Sequence, residues 1–182
     1  MYFEAEFFSF DHVIHGRVDT PQERLSDLLN LKNETTIIIR DAQISRISGI
    51  GKTPPLKLPE VRMEKHSILF AYPSEKDMST KSIYRRALRQ TFPVGVIMPN
   101  FELVGLVHLS ERLEIHRVLL SRVDDFIPLT NAYALYSLNP SLNFFCSTII
   151  FNKNHMILIG EQPLKAPPAA PKAVVAPPPP EG

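Results

Sequence analysis

Apolar and polar positions along this chain fall into short runs with strand character, and the runs recur. Near the start stands Phe10-Asp11-His12-Val13-Ile14-His15-Gly16-Arg17-Val18, and later comes Asn100-Phe101-Glu102-Leu103-Val104-Gly105-Leu106-Val107. Both are strand-like with a glycine near the middle. A short helical pattern follows each. In Glu23 to Leu29 the leucines Leu25, Leu28 and Leu29 share one face, opposite Arg24 and Asp27. In Leu113 to Leu120 the equivalent face carries Ile115, Val118 and Leu119. Each pattern spans two to three turns, too short to stand without a sheet to cover. Asp19 or Thr20 is placed to cap the first helix, with Pro21 in its first turn.

The next pair of runs is Thr36 to Ile44 and Phe126 to Ala134. Thr36 to Ile39 is β-branched throughout, which suits a pleated, mostly buried strand. Asp41-Ala42 and Asn131-Ala132 stand where each run is expected to bend, because short polar side chains satisfy turn amides. A closing strand completes each series, Ser67 to Tyr72 and His155 to Gly160. The matched order and near-equal spacing predict a tandem duplication of a small β-rich module with one short helix per copy. A glycine inside a strand marks a bulge, a bend or a close backbone approach, and small barrels need such bends. The expected fold is therefore mainly β, with SH3-like or Sm-like barrels as the comparison for each copy. A single mixed sheet built from both copies is the competing arrangement.

The boundaries follow. Residues 1–74 form the first module, 75–93 a basic and helix-compatible linker, 94–163 the second module, and 164–182 a tail. Ser48 to Pro59 contains glycines and prolines that interrupt periodicity and reads as an exposed loop, with a shorter equivalent at Ser137 to Asn143. In the tail, Pro167-Pro168, Pro171 and Pro177 to Pro180 remove too many amide donors for helix or sheet. It is expected to sample polyproline II outside the ordered core.

Composition narrows the chemistry. The formal net charge is +1, so no global attraction to nucleic acid or anionic membrane exists, although a local patch is compatible with it. That patch is Lys81, Arg85, Arg86 and Arg89 in the linker, a positive strip if the segment is helical. No apolar run approaches a membrane span, and the N-terminus has acids where a secretory signal needs a positive region, so a cytoplasmic protein is expected. Cys146 is the single cysteine and lies in an apolar run, which points to a buried thiol. Gly51-Lys52-Thr53 lacks the glycine five residues earlier that a phosphate-binding loop needs, and two prolines stand where its helix would begin. The six histidines show no metal-ligand spacing, and no serine has a nucleophile-elbow context.

Neither catalytic residues, metal ligands nor a cofactor site are thus expected. The expected function is a noncatalytic interaction or scaffold protein that self-associates or binds another protein, with a symmetric homodimer as the simplest assembly. Nucleic-acid binding by the basic linker is the first alternative. An enzyme or small-ligand protein with a cleft between the modules is the second.

Overall fold

The computed structural model describes residues 2–74, 90–109, 121 and 123–162. Apolar alternation builds most of the strands. In β1 (Tyr2–Phe8), Phe3, Ala5 and Phe7 point inward, and β2 (His12–Asp19) follows after a tight turn. Helix α1 (Leu25–Leu29) is short, and it buries Leu25, Leu28 and Leu29, the face the sequence predicts. The capping expectation fails. The N-cap position is Arg24 with no side-chain bond, while the Thr20 hydroxyl instead accepts the Gln22 amide at 3.0 Å. At the other end of α1 the buried Lys65 ammonium donates to the carbonyls of Leu28 at 2.8 Å and Leu31 at 3.0 Å. The Leu28 carbonyl also accepts the Leu31 amide at 3.2 Å, and a cation at this end suits the helix dipole. Burial holds the Lys65 pKa below its ordinary value, with Glu34 partly offsetting and Lys32 adding to the effect.

Strands β3 (Thr36–Arg46), β4 (Leu56–Glu64) and β5 (Phe70–Pro73) complete the first half. The second half contains β6 (Gln90–Met98), β7 (Phe101–Leu109), β8 (Phe126–Tyr136), β9 (Asn143–Asn152) and β10 (Leu158–Glu161). The loop expected over Ser48 to Pro59 is therefore too long, since Leu56 to Pro59 already belong to β4. The closing strands are shorter than expected because one-turn 3-10 helices, Lys65–Ser67 and Lys153–His155, occupy their first residues.

Every ladder is antiparallel, and all ten strands join one sheet in the order β10-β6-β7-β8-β9-β5-β1-β2-β3-β4. The expected pair of separate barrels is thus replaced by one open sheet that runs through both halves. The competing single sheet is closer to what forms, although it is antiparallel and not mixed. Its topology is repeat-like. The first half reads β5-β1-β2-β3-β4 and the second β10-β6-β7-β8-β9.

The bends fall where glycine permits them. The β2–β3 register shifts between His15 and Arg17, and the β7–β8 register shifts between Val104 and Leu106. Gly16 and Gly105 sit at these shifts. Across from them Asp41 (φ 52) and Asn131 (φ 47) take the left-handed conformation that short polar side chains tolerate. A Cβ on Gly16 would lie 2.5 Å from the Ile39 side chain and 2.7 Å from the Arg40 carbonyl oxygen. The curled sheet encloses two apolar clusters. One holds most of the second half with Phe8, Val13, Ile47, Leu69 and Phe70 from the first, and the other holds most of the first half with Phe126 and Ile150 from the second. Neither core is completed by its own half alone.

Candidate functional site at the junction of the halves

The halves meet where β5 lies on β9, with Phe70 opposite Phe151 and Ala71 opposite Ile150. The ladder is short, and side chains extend it. The Asn152 amide N–H donates to the Leu69 carbonyl at 2.8 Å, and its side-chain NH2 donates to the Ile68 carbonyl at 3.1 Å. Asn152 is buried, and its carboxamide is satisfied on both sides, the NH2 across the junction and the oxygen by the Asn154 amide at 3.1 Å. Over the same strands the rings form one aromatic group. Phe8 stacks on Phe70 with centroids 4.4 Å apart, and meets Phe144 edge-on at 4.9 Å.

A second clamp comes from Asn30, the residue that ends α1. Its carbonyl oxygen accepts the amides of Asp125 (3.0 Å) and Phe126 (2.9 Å), and its NH2 donates to the Phe126 carbonyl at 2.8 Å. Beside it Lys32 pairs with Asp125. Burial pushes the Asp125 carboxyl up, but hydrogen bonds from Lys32 and Asn154 and the nearby lysine charges outweigh it and hold the carboxyl below the ordinary range. Asn30→Ala is expected to cost roughly 1–3 kcal/mol, because it strands backbone groups that the fold has withdrawn from water. Lys32→Ala, at an exposed ion pair, should cost under about 1 kcal/mol. Urea denaturation of the two variants checks the contrast, and equal losses would refute it.

Next to the junction is a cavity of about 220 Å³, lined among others by Glu6, His15, Tyr72, Phe145 and Cys146. The Tyr72 hydroxyl donates to Glu6 at 2.7 Å. Burial raises the Tyr72 pKa well above its ordinary value, and the Glu6 charge and hydrogen bond raise it further. The phenol therefore stays protonated and cannot act as a base. His15 Nδ1 lies 3.9 Å from Glu6, beyond hydrogen-bond length. Cys146 is half-buried beside them.

Comparison of the chain with protein-family models, with curated proteins and with solved structures finds no match.

The basic residues singled out by the sequence, Lys81, Arg85, Arg86 and Arg89, lie outside the described residues, as do the second helical pattern, Ile115, Val118 and Leu119, and the proline-rich tail. Gly51-Lys52-Thr53 forms a tight turn in which the amides of Lys52 and Thr53 both donate to the Gly49 carbonyl, at 2.9 and 3.1 Å, with Gly51 at φ 74. Those two amides serve the turn and are not presented to an anion. Among the described residues no group of three or more His, Cys, Asp or Glu side chains is arranged to hold a metal ion, and no helix is long and apolar enough to cross a membrane.

Sequence reasoning missed Asn30 and Asn152. Each looks like an ordinary polar residue near the end of an element, and only the pairing of distant strands gives it a partner.

Proposed function

We propose that this chain is a noncatalytic assembly protein. In this reading it is a tandem duplication of a small β-rich module, fused so that the fifth strand of the first copy lies on the fourth strand of the second. The outer strands, β4 and β10, then serve as edges to which protein partners add.

The observation that carries the proposal is a set of exposed apolar side chains on those two edges, which on β4 stand among Lys57, Pro59, Glu60, Arg62 and Glu64. Among the described residues neither has a strand on its outer side. Exposed edge strands are normally short, charged or covered, since unpaired backbone invites another chain. Here Leu56 is 58% exposed on β4, while Leu158 on β10 and its neighbour Ile157 are 53% and 65% exposed. Duplication is supported by backbone bonds that recur in both halves. Lys65 N–H donates to the Thr35 carbonyl and Lys153 N–H to that of Asp125, while Ile47 N–H donates to Asp11 and Ser137 N–H to Asn100. The cavity at the junction speaks against a small-ligand enzyme. Its 220 Å³ falls below the ordinary ligand pocket of about 300–1,000 Å³, and Glu6 is engaged by the Tyr72 hydroxyl.

Affinity capture from the native cell, with Ile157→Asp/Leu158→Asp beside the unaltered chain, tests the reading. Recovery of the captured proteins, other copies of this chain included, is expected to fall at least tenfold. Equal recovery by both forms would overturn it.

A further inference from the structure

We infer that copies of this chain join head to tail, β10 of one copy adding to the outer edge of β4 of the next in the register that β5 and β9 already use. The inference rests on the reading of two alike modules and names the partner as a second copy.

The junction inside the molecule shows what such an edge looks like when covered. Leu69 N–H donates to the Phe8 carbonyl, and Phe70 lies opposite Phe8. Ile157 N–H donates to the Ile97 carbonyl, and Leu158 lies opposite Ile97. The pair Leu69 and Phe70 therefore occupies the same ladder positions as Ile157 and Leu158. The first pair is fully buried at 0% exposure, because β9 covers it, whereas the second pair is 65% and 53% exposed.

The other edge shows the same contrast. Ala42 faces Leu58 and Ile44 faces Leu56 in the first half, just as Ala132 faces Cys146 and Ala134 faces Phe144 in the second. Phe144 and Cys146 are half-buried at the junction, with Phe144 packed on the Phe8 ring of the other half. Leu56 and Leu58 have no such cover and are 58% and 37% exposed. Among the described residues one bare fourth-strand edge and one bare fifth-strand edge thus remain, and the molecule already contains the contact that joins such a pair.

Carrying the β5–β9 register over by ladder position places Leu158 of one copy opposite Met63 of the next, and Ile159 opposite Arg62. The Glu64 N–H then donates to the Ile157 carbonyl, as Asn152 donates to Leu69. Two differences weaken the contact between copies, one of them that the same register sets Glu161 opposite Glu60, a pair of like charges. The other is that Glu64 stands where Asn152 does and cannot supply the side-chain N–H that reaches Ile68. Because the two surfaces differ, the association is head to tail, and it closes into a ring or continues as a filament according to the rotation per copy. A symmetric dimer is a different arrangement, which would pair like edges.

The test uses the full chain with its only cysteine replaced, Cys146→Ser, and carrying Arg62→Cys and Ile159→Cys. Mild oxidation should yield covalent multimers of the 20.6 kDa chain, at least tenfold more than either single-cysteine form gives. An equal mixture of the two single-cysteine forms should stop at the dimer. Light scattering on the unaltered chain at tens of micromolar should give a multiple of 20.6 kDa that returns to one chain with Ile157→Asp/Leu158→Asp. Cross-linking of the Ile159→Cys form with itself would show symmetric pairing and overturn the inference. So would a single-chain mass for the unaltered protein, which keeps the test decisive if a cysteine variant fails to fold. If the chain is single yet captured proteins are still lost with the edge variant, the assembly reading stands and only head-to-tail joining falls.

Discussion

Gly16→Ala is expected to lower stability by roughly 3 kcal/mol, the upper part of the range for overpacking a filled core. The added methyl would meet the Ile39 side chain at 2.5 Å and the Arg40 carbonyl at 2.7 Å, and the carbonyl belongs to a ladder that cannot move aside cheaply. Gly105→Ala meets the Cβ atoms of Ala132 at 2.9 Å and Leu129 at 3.1 Å and the Thr130 carbonyl at 3.2 Å, less close than at Gly16, so a smaller loss of roughly 1–2 kcal/mol is expected. Gly160→Ala is the control, because nothing lies within 4 Å of its added carbon and it should be near neutral. Urea unfolding of the three variants gives the order. Equal midpoints for Gly16→Ala and Gly160→Ala would contradict the close approach described for β2 and β3.

The second large effect is expected at Phe8. This ring is fully buried and belongs to a cluster whose other members come mainly from the second half. Phe8→Ala should cost about 3–5 kcal/mol, the usual range for deleting a buried phenylalanine. Its particular signature is the reach of the damage. Because Phe8 packs on Phe70 of its own half and on Phe101 and Phe144 of the other, both halves should weaken together in a single transition. Phe145→Ala, at a ring 45% exposed, should cost well under the Phe8 variant. Near-ultraviolet circular dichroism and amide exchange followed through the melt resolve this. A Phe8→Ala protein whose second half melts at its original temperature would refute the shared core.

Much of the strand pattern could be read directly from residues. The glycine in each second strand and the Asp41-Ala42 and Asn131-Ala132 pairs pointed to bends, and the positive φ values at Asp41 and Asn131 and the register shifts at Gly16 and Gly105 show them. The leucine face of α1 was equally plain. β4 was harder, since Pro54, Pro55 and Pro59 hide its start. Pro59 is tolerated in that strand because Asp41 and Pro59 are left out of a ladder otherwise continuous from Thr36 opposite Glu64 to Ile44 opposite Leu56. The 3-10 turns that shorten β5 and β10 leave no periodic trace over three residues. What could not be read was the junction. Whether the two halves close separately or share a sheet depends on which edges find each other, and Asn152, the junction's main polar clamp, pairs with a residue 84 positions away.

That distance has a consequence during synthesis. β5 is complete soon after residue 73 leaves the ribosome, yet the strand that covers its outer side ends only at Asn152. At roughly 5–20 residues per second, the intervening chain takes on the order of 4–16 s to appear. Throughout that interval a nascent first half would carry Leu69 and Phe70 on an unpaired edge, and neighbouring ribosomes on one message would bring several such edges close together. The first half is therefore the part of this protein with most to gain from a chaperone at the exit tunnel.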